Sequence, residues 1–463
     1  MNAKLLAPLA LLAAAAGCAT YHARPLTRQA VDEALAPKPA GELRIEAARL
    51  RHPALPPATI DLADGLNPDE AAVLAVLANP GLRAERDRLA LADAQLLQAR
   101  LLPNPELSAS RDVPTGGAAD LVSAFSVGVG MTIDDLLTRR ARKAGAQADR
   151  EAVALDVAWR EWQVAEAAKT ALYAVVGAEA EERLAAEAEA RMTESVALVR
   201  RAVDAGHLAA PDLAAAESAA ADARASLLEA RAALAERRLD LTGLLGLPAG
   251  TAVEPEPGVA LPTNVAPPAR EELERGLEER RLDLLALRRG YDSAEAALRG
   301  AVIAQFPRLS LGASRARDTG DVTTNGLSFT LGLPIFDRNQ AQVAAATATR
   351  AQLFDEYAAR VFEARAELAA ADERIRALDR QVEAAGADEA TFRRLEETYR
   401  EALARGQATA LEYVQAWTNA QNARRRGLAL RGDLLEARVR LELASGLYRV
   451  DGAAAPDSEA KQR

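Results

Sequence analysis

Imidazole and thiol groups are scarce in this chain of 463 residues, which holds three histidines, His22, His52 and His207, and a single cysteine, Cys18. A protein metal site needs several such ligands at close spacing, and these are scattered, with no cysteine pair. Neither a glycine-rich phosphate cradle nor a Gly-x-Ser-x-Gly elbow is present. Metal, thiolate and activated-serine catalysis therefore have no residue set to run on, and the sequence predicts no enzyme, no bound metal and no cofactor. What Cys18 can do is set by its position, at the end of 1-MNAKLLAPLALLAAAAGC-18.

That run has an early Lys4, an apolar stretch and small residues before the cysteine, and it is too short for a comfortable membrane-spanning helix. Residues 1–17 read as a secretory signal. The segment 15-AAGC-18 resembles the bacterial lipobox, in which cleavage before Cys18 leaves a thiol that carries diacylglycerol. Acylation would leave no thiol for a disulfide. The resemblance to sorted lipoproteins adds that Ala19, rather than Asp, after the cysteine is compatible with onward transport to the outer membrane.

Composition narrows the elements that follow. Hydrophobic residues make up 49% of the chain but aromatics only 4%, so alanine and leucine supply the apolar surface, as suits closely packed helices. The 67 acidic and 57 basic residues give a formal charge of −10 and are interspersed along helical stretches. A basic face for nucleic acid is unsupported.

The chain is internally duplicated. Segments 105-PELSAS-110 and 126-SVGVGMTIDD-135 recur as 307-PRLSLGAS-314 and 328-SFTLGLPIFD-337, at offsets 307−105 = 202 and 328−126 = 202. Likewise 202-AVDAGHLAAPDL-213 and 241-LTGLLGL-247 recur as 402-ALARGQATALEY-413 and 441-LELASGL-447, at offsets 406−206 = 200 and 446−246 = 200. The expected organisation is a signal over 1–17, an anchored segment and linker over 18–67, repeat 1 over 68–247, a Pro-rich equatorial linker over 248–268, repeat 2 over 269–448 and a disordered tail over 449–463.

Within each repeat the periodicity predicts a leading helix (68–102 and 269–304), two alternating segments, a long helix (135–205 and 339–405), a glycine turn and a return helix (211–247 and 411–447). At 1.5 Å per residue the long helix is about 100 Å and the flanking ones roughly 55 Å each, so two short helices laid end to end match one long one. The alternating segments span 105–133 and 307–335. Phe125, Val127 and Val129, with Leu327, Phe329, Leu331, Leu333 and Ile335, fall on one face and are expected toward lipid. Ser, Thr, Gly and the charged residues between them are expected toward a lumen. Such segments have the length of tilted strands in an outer-membrane barrel, but four strands cannot close one around water, so several chains must pool theirs.

These residues resemble a known family, the TolC-like outer membrane factors of bacterial tripartite efflux and type I secretion. The likeness runs from about Leu66 to Tyr448 and is carried by 69-DEAAVLAVLANPGLRAER-86, by the strand-to-helix junctions 129-VGMTIDD-135 and 331-LGLPIFDRNQ-340, and by the two glycine turns. The stretch 99-ARLLPNPELSAS-110 with 133-IDDLLTRRARKAGAQA-148 resembles the heavy-metal efflux branch. The resemblance implies a mainly α fold, a long α-helical barrel continuous with a trimeric β-barrel of four strands per protomer. It implies a passive exit duct in the outer membrane, anchored at Cys18, that works with a periplasmic adaptor and an inner-membrane pump of the resistance-nodulation-division type. Heavy-metal cations, drugs or other small molecules are the candidate substrates.

By the same resemblance Gly206, His207, Leu208, Gly406, Gln407 and Ala408 would meet the adaptor, while Glu412, Gln415 and Asp212 would line or link a periplasmic gate. Three Glu412 carboxylates on one axis would repel each other and attract cations. Gln415 stands where some members carry a second acid. The rival reading is a non-conducting periplasmic coiled-coil lipoprotein that tethers the envelope, which explains the helices and Cys18 but not the paired alternating segments.

Overall fold

The computed structural model describes residues 20–61, 63–116, 121–259, 261, 267–405 and 407–446. Cys18, the signal over 1–17, Gly406 and the tail over 449–463 lie outside them. The chain divides into two bodies, Met1–Lys38 and Pro39–Arg463. In the first, helix α1 (Arg28–Leu35) starts at Thr27, whose hydroxyl accepts a hydrogen bond from the Ala30 N–H at 3.2 Å.

The second body opens with α2 (Ala40–Ala48) and an irregular linker. His52 pins this linker: its Nδ1 accepts from the N–H groups of Ala54 and Leu55 at 3.0 and 3.1 Å, so Nε2 carries the proton and donates to the Ala158 carbonyl at 3.0 Å. Further on, the N–H of Leu66 donates to Glu254 O and the N–H of Glu256 to Leu66 O, each at 3.0 Å, a parallel bridge that joins this linker to the one between the repeats.

The leading helices are broken where the sequence predicts continuous ones. In the first repeat α3 (Pro68–Ala78) is sealed at its start by an Asn67–Glu70 capping box, and α4 (Pro80–Arg100) follows after a single non-helical residue. Pro80 has no N–H to continue the helix and pushes Asn79 out of the α region, to φ −58° and ψ 121°. In the second repeat the leading segment is three pieces, α7 (Arg270–Glu274), α8 (Leu277–Arg280) and α9 (Leu282–Ile303), with Arg281 extended at φ −69° and ψ 123°. The two breaks are repeat-equivalent, since 281−79 = 202.

The long helices are α5 (Asp134–Asp204, 71 residues) and α10 (Gln340–Ala404, 65 residues), followed by the return helices α6 (Ala210–Leu244) and α11 (Ala410–Ser445). Helix α5 packs along α3, α4, α6, α9 and α11, while α10 packs along α9 and α11. One apolar cluster joins Leu74, Leu172, Leu241 and Leu245, and its counterpart joins Leu284, Leu368, Ile375 and Leu434. In a third cluster Trp159 and Trp162 meet edge to face at 5.7 Å, and the Arg281 guanidinium lies 5.1 Å from the Trp159 ring centre.

Four strands form one antiparallel sheet in the order β1 (Glu106–Asp112), β2 (Ala124–Thr132), β3 (Arg308–Arg317) and β4 (Thr323–Gly332). The duplication thus supplies two hairpins that pair with each other through β2 and β3. Leu333 and Ile335, expected within the last strand, follow its end at Gly332, because Pro334 can donate nothing to a ladder.

Candidate functional site

The sheet has two chemically distinct faces, and the pairing register identifies them. Directly opposed residues share a face, so Leu107, Val129, Ala313 and Leu327 form one row, and Met131, Leu311 and Phe329 another. Phe125, Val127, Leu309 and Leu331 lie on the same side. The opposite face is built from Ser108, Ser126, Gly128, Thr132, Ser310, Gly312, Ser314, Gly326, Ser328 and Thr330. Along the central strands β2 and β3 exposure tends to run opposite to that of a water-soluble sheet, while both faces of β1 and β4 are exposed. Leu327 is 91% exposed, Phe329 64% and Phe125 52%, while Ser310, Gly312 and Ser314 are half-buried and Gly128 is buried.

Directly opposed residues crowd on the polar side. A Cβ added at Gly312 would lie 2.5 Å from Ser328 Oγ, one at Gly128 would lie 2.9 Å from Ser108 Oγ, and one at Gly326 would lie 3.0 Å from Ser314 Oγ. At these three positions the opposed serine leaves room for glycine alone. With small polar side chains on one face and large apolar ones on the other, a sheet that closes into a barrel has the polar face as its concave side and the apolar face as its convex side, the arrangement of a wall between lipid and a wet lumen. Among the described residues no helix is long and apolar enough to cross a membrane. The outer edges of β1 and β4 pair with no other strand among the described residues.

One expectation for this face is corrected. Charged residues were assigned to the lumen, but Arg315 pairs with Val127, and Arg111 and Arg317 both pair with Phe125, so these three guanidiniums stand on the convex face with the apolar side chains. Of the charged strand residues only Glu106, Asp112 and Arg308 lie on the concave side.

At the other end of α5 and α10 the chain reverses. Gly206 has φ +74°, and the N–H groups of His207 and Leu208 donate back to the Ala202 carbonyl at 2.8 and 3.3 Å. Only a residue without Cβ takes that conformation without strain. Gly206 and His207 are exposed and Leu208 half-buried. In the second tip Gln407 N–H donates to Ala402 O at 2.8 Å, with Gln407 exposed and Ala408 half-buried; Gly406 is outside the described residues. Trp417 of α11 packs with Ala188 and Met192 of α5 and against Ala219, Ala220 and Ala223 of α6, and so joins the helix pairs that carry the two tips.

The acids assigned to a gate both serve as helix caps. The Glu412 carboxylate accepts from the Thr409 N–H and hydroxyl, each at 2.8 Å, while Thr409 Oγ1 accepts from the Glu412 N–H at 3.2 Å. These hydrogen bonds to the ionised form, from the Thr409 backbone first and its hydroxyl second, hold the carboxyl below its ordinary range. Asp212 does half of this in the first repeat, accepting from the Ala209 N–H at 2.9 Å, since an alanine offers no hydroxyl in return. Gln415 is exposed and donates to Asn419 Oδ1 at 3.3 Å. Thr409-x-x-Glu412 is a capping-box signature legible in the sequence itself.

With this geometry in view, comparison with known proteins decides the family. Residues 72–247 and 275–447 match the outer membrane efflux protein family. The chain belongs to that family. It is an outer membrane efflux channel and not an enzyme. The matched blocks are the two repeats. The cobalt-zinc-cadmium resistance protein CzcC of Cupriavidus metallidurans is 27% identical over 301 residues, 65% of this chain and 70% of that protein. Among solved structures, CusC superposes with a TM-score of 0.66 at 19% identity, over 85% of this chain and 98% of that one. The open-state outer membrane channel MtrE of Neisseria gonorrhoeae gives 0.68 at 19% identity, over 86% and 97%. At such identities the likeness is one of fold. The expected mainly helical fold with a β-barrel part is therefore the fold of this efflux protein.

Proposed function

We propose that three copies of this efflux protein pool their sheets into one barrel and form the outer-membrane duct of a tripartite system for heavy-metal cations. The observation that carries this is the two-faced sheet, with serine and glycine on one side, exposed leucine and phenylalanine on the other, and two edges unpaired among the described residues. A tethering lipoprotein has no use for such a face. The apolar side chains Phe125, Val127, Val129, Leu327, Phe329 and Leu331 then contact lipid, and the edges of β1 and β4 pair between copies, since an open edge in hydrocarbon leaves backbone groups unsatisfied. The likeness to a cobalt-zinc-cadmium resistance protein supports metal cations as the cargo.

In this reading Cys18 carries the lipid anchor and the tips around Gly206–Leu208 and Gly406–Ala408 meet the hairpins of a periplasmic adaptor, which receives substrate from a resistance-nodulation-division pump. Glu412, Gln415 and Asp212 lie beside those tips. If three Glu412 side chains converge on the axis, capping moderates their repulsion, because each carboxylate already neutralises a helix N-terminus. The test is ion conductance of the purified protein in planar bilayers, together with metal sensitivity of a strain lacking it. Stepwise conductance altered by Glu412→Gln, with zinc, cobalt or cadmium sensitivity on deletion, is the expected result. A non-conducting monomer sinks the duct, and deletion that sensitises cells only to organic drugs sinks the metal assignment.

A further inference from the structure

We infer that the convex face carries a lipid-phosphate site, formed by Arg111, Arg315 and Arg317, that holds the headgroup of a phosphorylated outer-leaflet glycolipid. This rests on the proposed barrel and adds to it a specific ligand.

The three arginines are the only charged residues on that face of the strands, and all are of one sign. They also cluster at one end. Each hairpin turns just beyond them, between Asp112 and Ala124 and between Arg317 and Thr323, while the helices leave from the opposite ends at Glu106, Thr132, Arg308 and Gly332. With the helical body on the periplasmic side, the hairpin end is at the outer leaflet. Arg111 and Arg317 flank Phe125 from the two neighbouring strands, so their backbones are about 10 Å apart, and Arg315 is about 7 Å along the strand from Arg317. That spacing lets guanidinium forks reach two phosphates, which they bind bidentately. Arg317 is paired with Asp321, but among the described residues no carboxylate pairs with Arg111 or Arg315. Val127 lies beside Arg315, and below it Val129, Ala313 and Leu327 continue the same face and give acyl chains a surface to lie on. A soluble anion would gain nothing from that surface, whereas a lipid with phosphates on its headgroup uses both parts.

The experiment is native mass spectrometry of the detergent-purified assembly with a diphosphorylated glucosamine lipid (lipid A), against its phosphate-free form. Wild type should retain the diphosphorylated lipid and release the phosphate-free one. The triple variant Arg111→Gln, Arg315→Gln, Arg317→Gln should lose retention by about tenfold or more, the product of a few-fold per arginine. Arg308→Gln, on the concave face, should leave retention unchanged. Bilayer conductance of the same samples separates this site from the duct: a conducting triple variant that no longer holds lipid supports the site. Equal retention by wild type and triple variant, or equal binding of the phosphate-free lipid, overturns it. If the triple variant does not assemble, Arg315→Gln alone should lower retention a few-fold, and unchanged retention there also overturns the site. Arginine-dependent lipid retention by a protein that fails to conduct would remove the duct and keep the site.

Discussion

Arg281 is the side chain whose loss should cost this fold most. Its side chain is fully buried, with Nη2 at 2.7 Å from Asp283 Oδ2, Nε at 3.0 Å from Asp283 Oδ1 and Nη1 at 2.7 Å from Glu367 Oε2. Removing one partner of a buried pair costs about 3–5 kcal/mol, because the other charge is left without compensation. Asp283 would keep Arg360 at 2.8 Å and the Leu284 N–H at 3.0 Å, which places the loss near the lower end. The lost cation–π contact with Trp159 adds about 1 kcal/mol. Arg281→Met should therefore destabilise the second body by about 3–4 kcal/mol, read as a shift in urea midpoint by far-ultraviolet circular dichroism in detergent.

Asp283→Asn in the Arg281→Met background should cost about 2 kcal/mol less than it does alone, since the two groups act as a unit. The pH dependence has a definite sign. Burial pushes the Asp283 carboxyl up, but the Arg281 and Arg360 guanidiniums outweigh it and hold the carboxyl below its ordinary value of 3.8. A depressed carboxyl contributes stability that is complete above 3.8 and is lost as pH falls through the folded value. In Arg281→Met that acid-dependent contribution should shrink. A loss below about 1 kcal/mol, or additive single and double variants, would refute the pairing as a stabilising unit.

Three further outcomes are expected. Gly246→Ala should cost more than about 3 kcal/mol, because a Cβ there lies 2.6 Å from the Ala78 carbonyl oxygen at φ +66°. Gly446→Ala, with φ +64° but its nearest neighbour 3.6 Å away, should cost only the left-handed conformation, about 1 kcal/mol; equal urea shifts would dispose of the distinction. Phe329→Arg on the convex face should weaken barrel assembly by about 2–4 kcal/mol, whereas Thr330→Lys on the concave face should assemble and change conductance, both seen as heat-modifiable migration and bilayer current. Thr409→Ala should weaken the start of α11 by about 1 kcal/mol and speed amide exchange there about fivefold, with no change at the first tip.

The long helices and the strand pairs were legible because periodicity runs through them without interruption. The predicted 135–205 and 339–405 stand beside the observed Asp134–Asp204 and Gln340–Ala404. The break at Asn79 was also written in the sequence, as the residue before Pro80, but the apolar run on both sides masked it. Arg281 has no proline after it, so its break could be found only by carrying position 79 across the 202-residue offset. The arginine face was equally available: Arg315 and Arg317 share the two-residue parity of Leu309, Leu311 and Ala313. Chemical type alone places charge toward the lumen, and type yields to register in a strand.

What no periodicity carries is how the repeats close their helix ends, and there the two halves solve one problem with different side chains. A helix ends with carbonyls that no intrahelical N–H reaches. At the first junction Asn79 Nδ2 donates to the Leu244 carbonyl at 3.0 Å, and at the second Arg281 Nη1 reaches the Ala444 carbonyl at 3.4 Å. Nearer the sheet, Arg139 donates to the Arg100 carbonyl at 2.6 Å and Asn339 to the Ala301 carbonyl at 2.8 Å. In the first pair donor and acceptor stand at equivalent repeat positions, since 281−79 = 202 and 444−244 = 200, and in the second they are displaced by one or two residues; in each an amide stands in one repeat and a guanidinium in the other. The glycines follow the same plan, with Gly246 against Ala78 and Asn79 and Gly446 against Arg280. Side-chain identity has diverged while the carbonyl to be satisfied has stayed fixed, so the constraint is geometric: a return helix must end where a leading helix breaks. Only then do two short helices run end to end beside one long one.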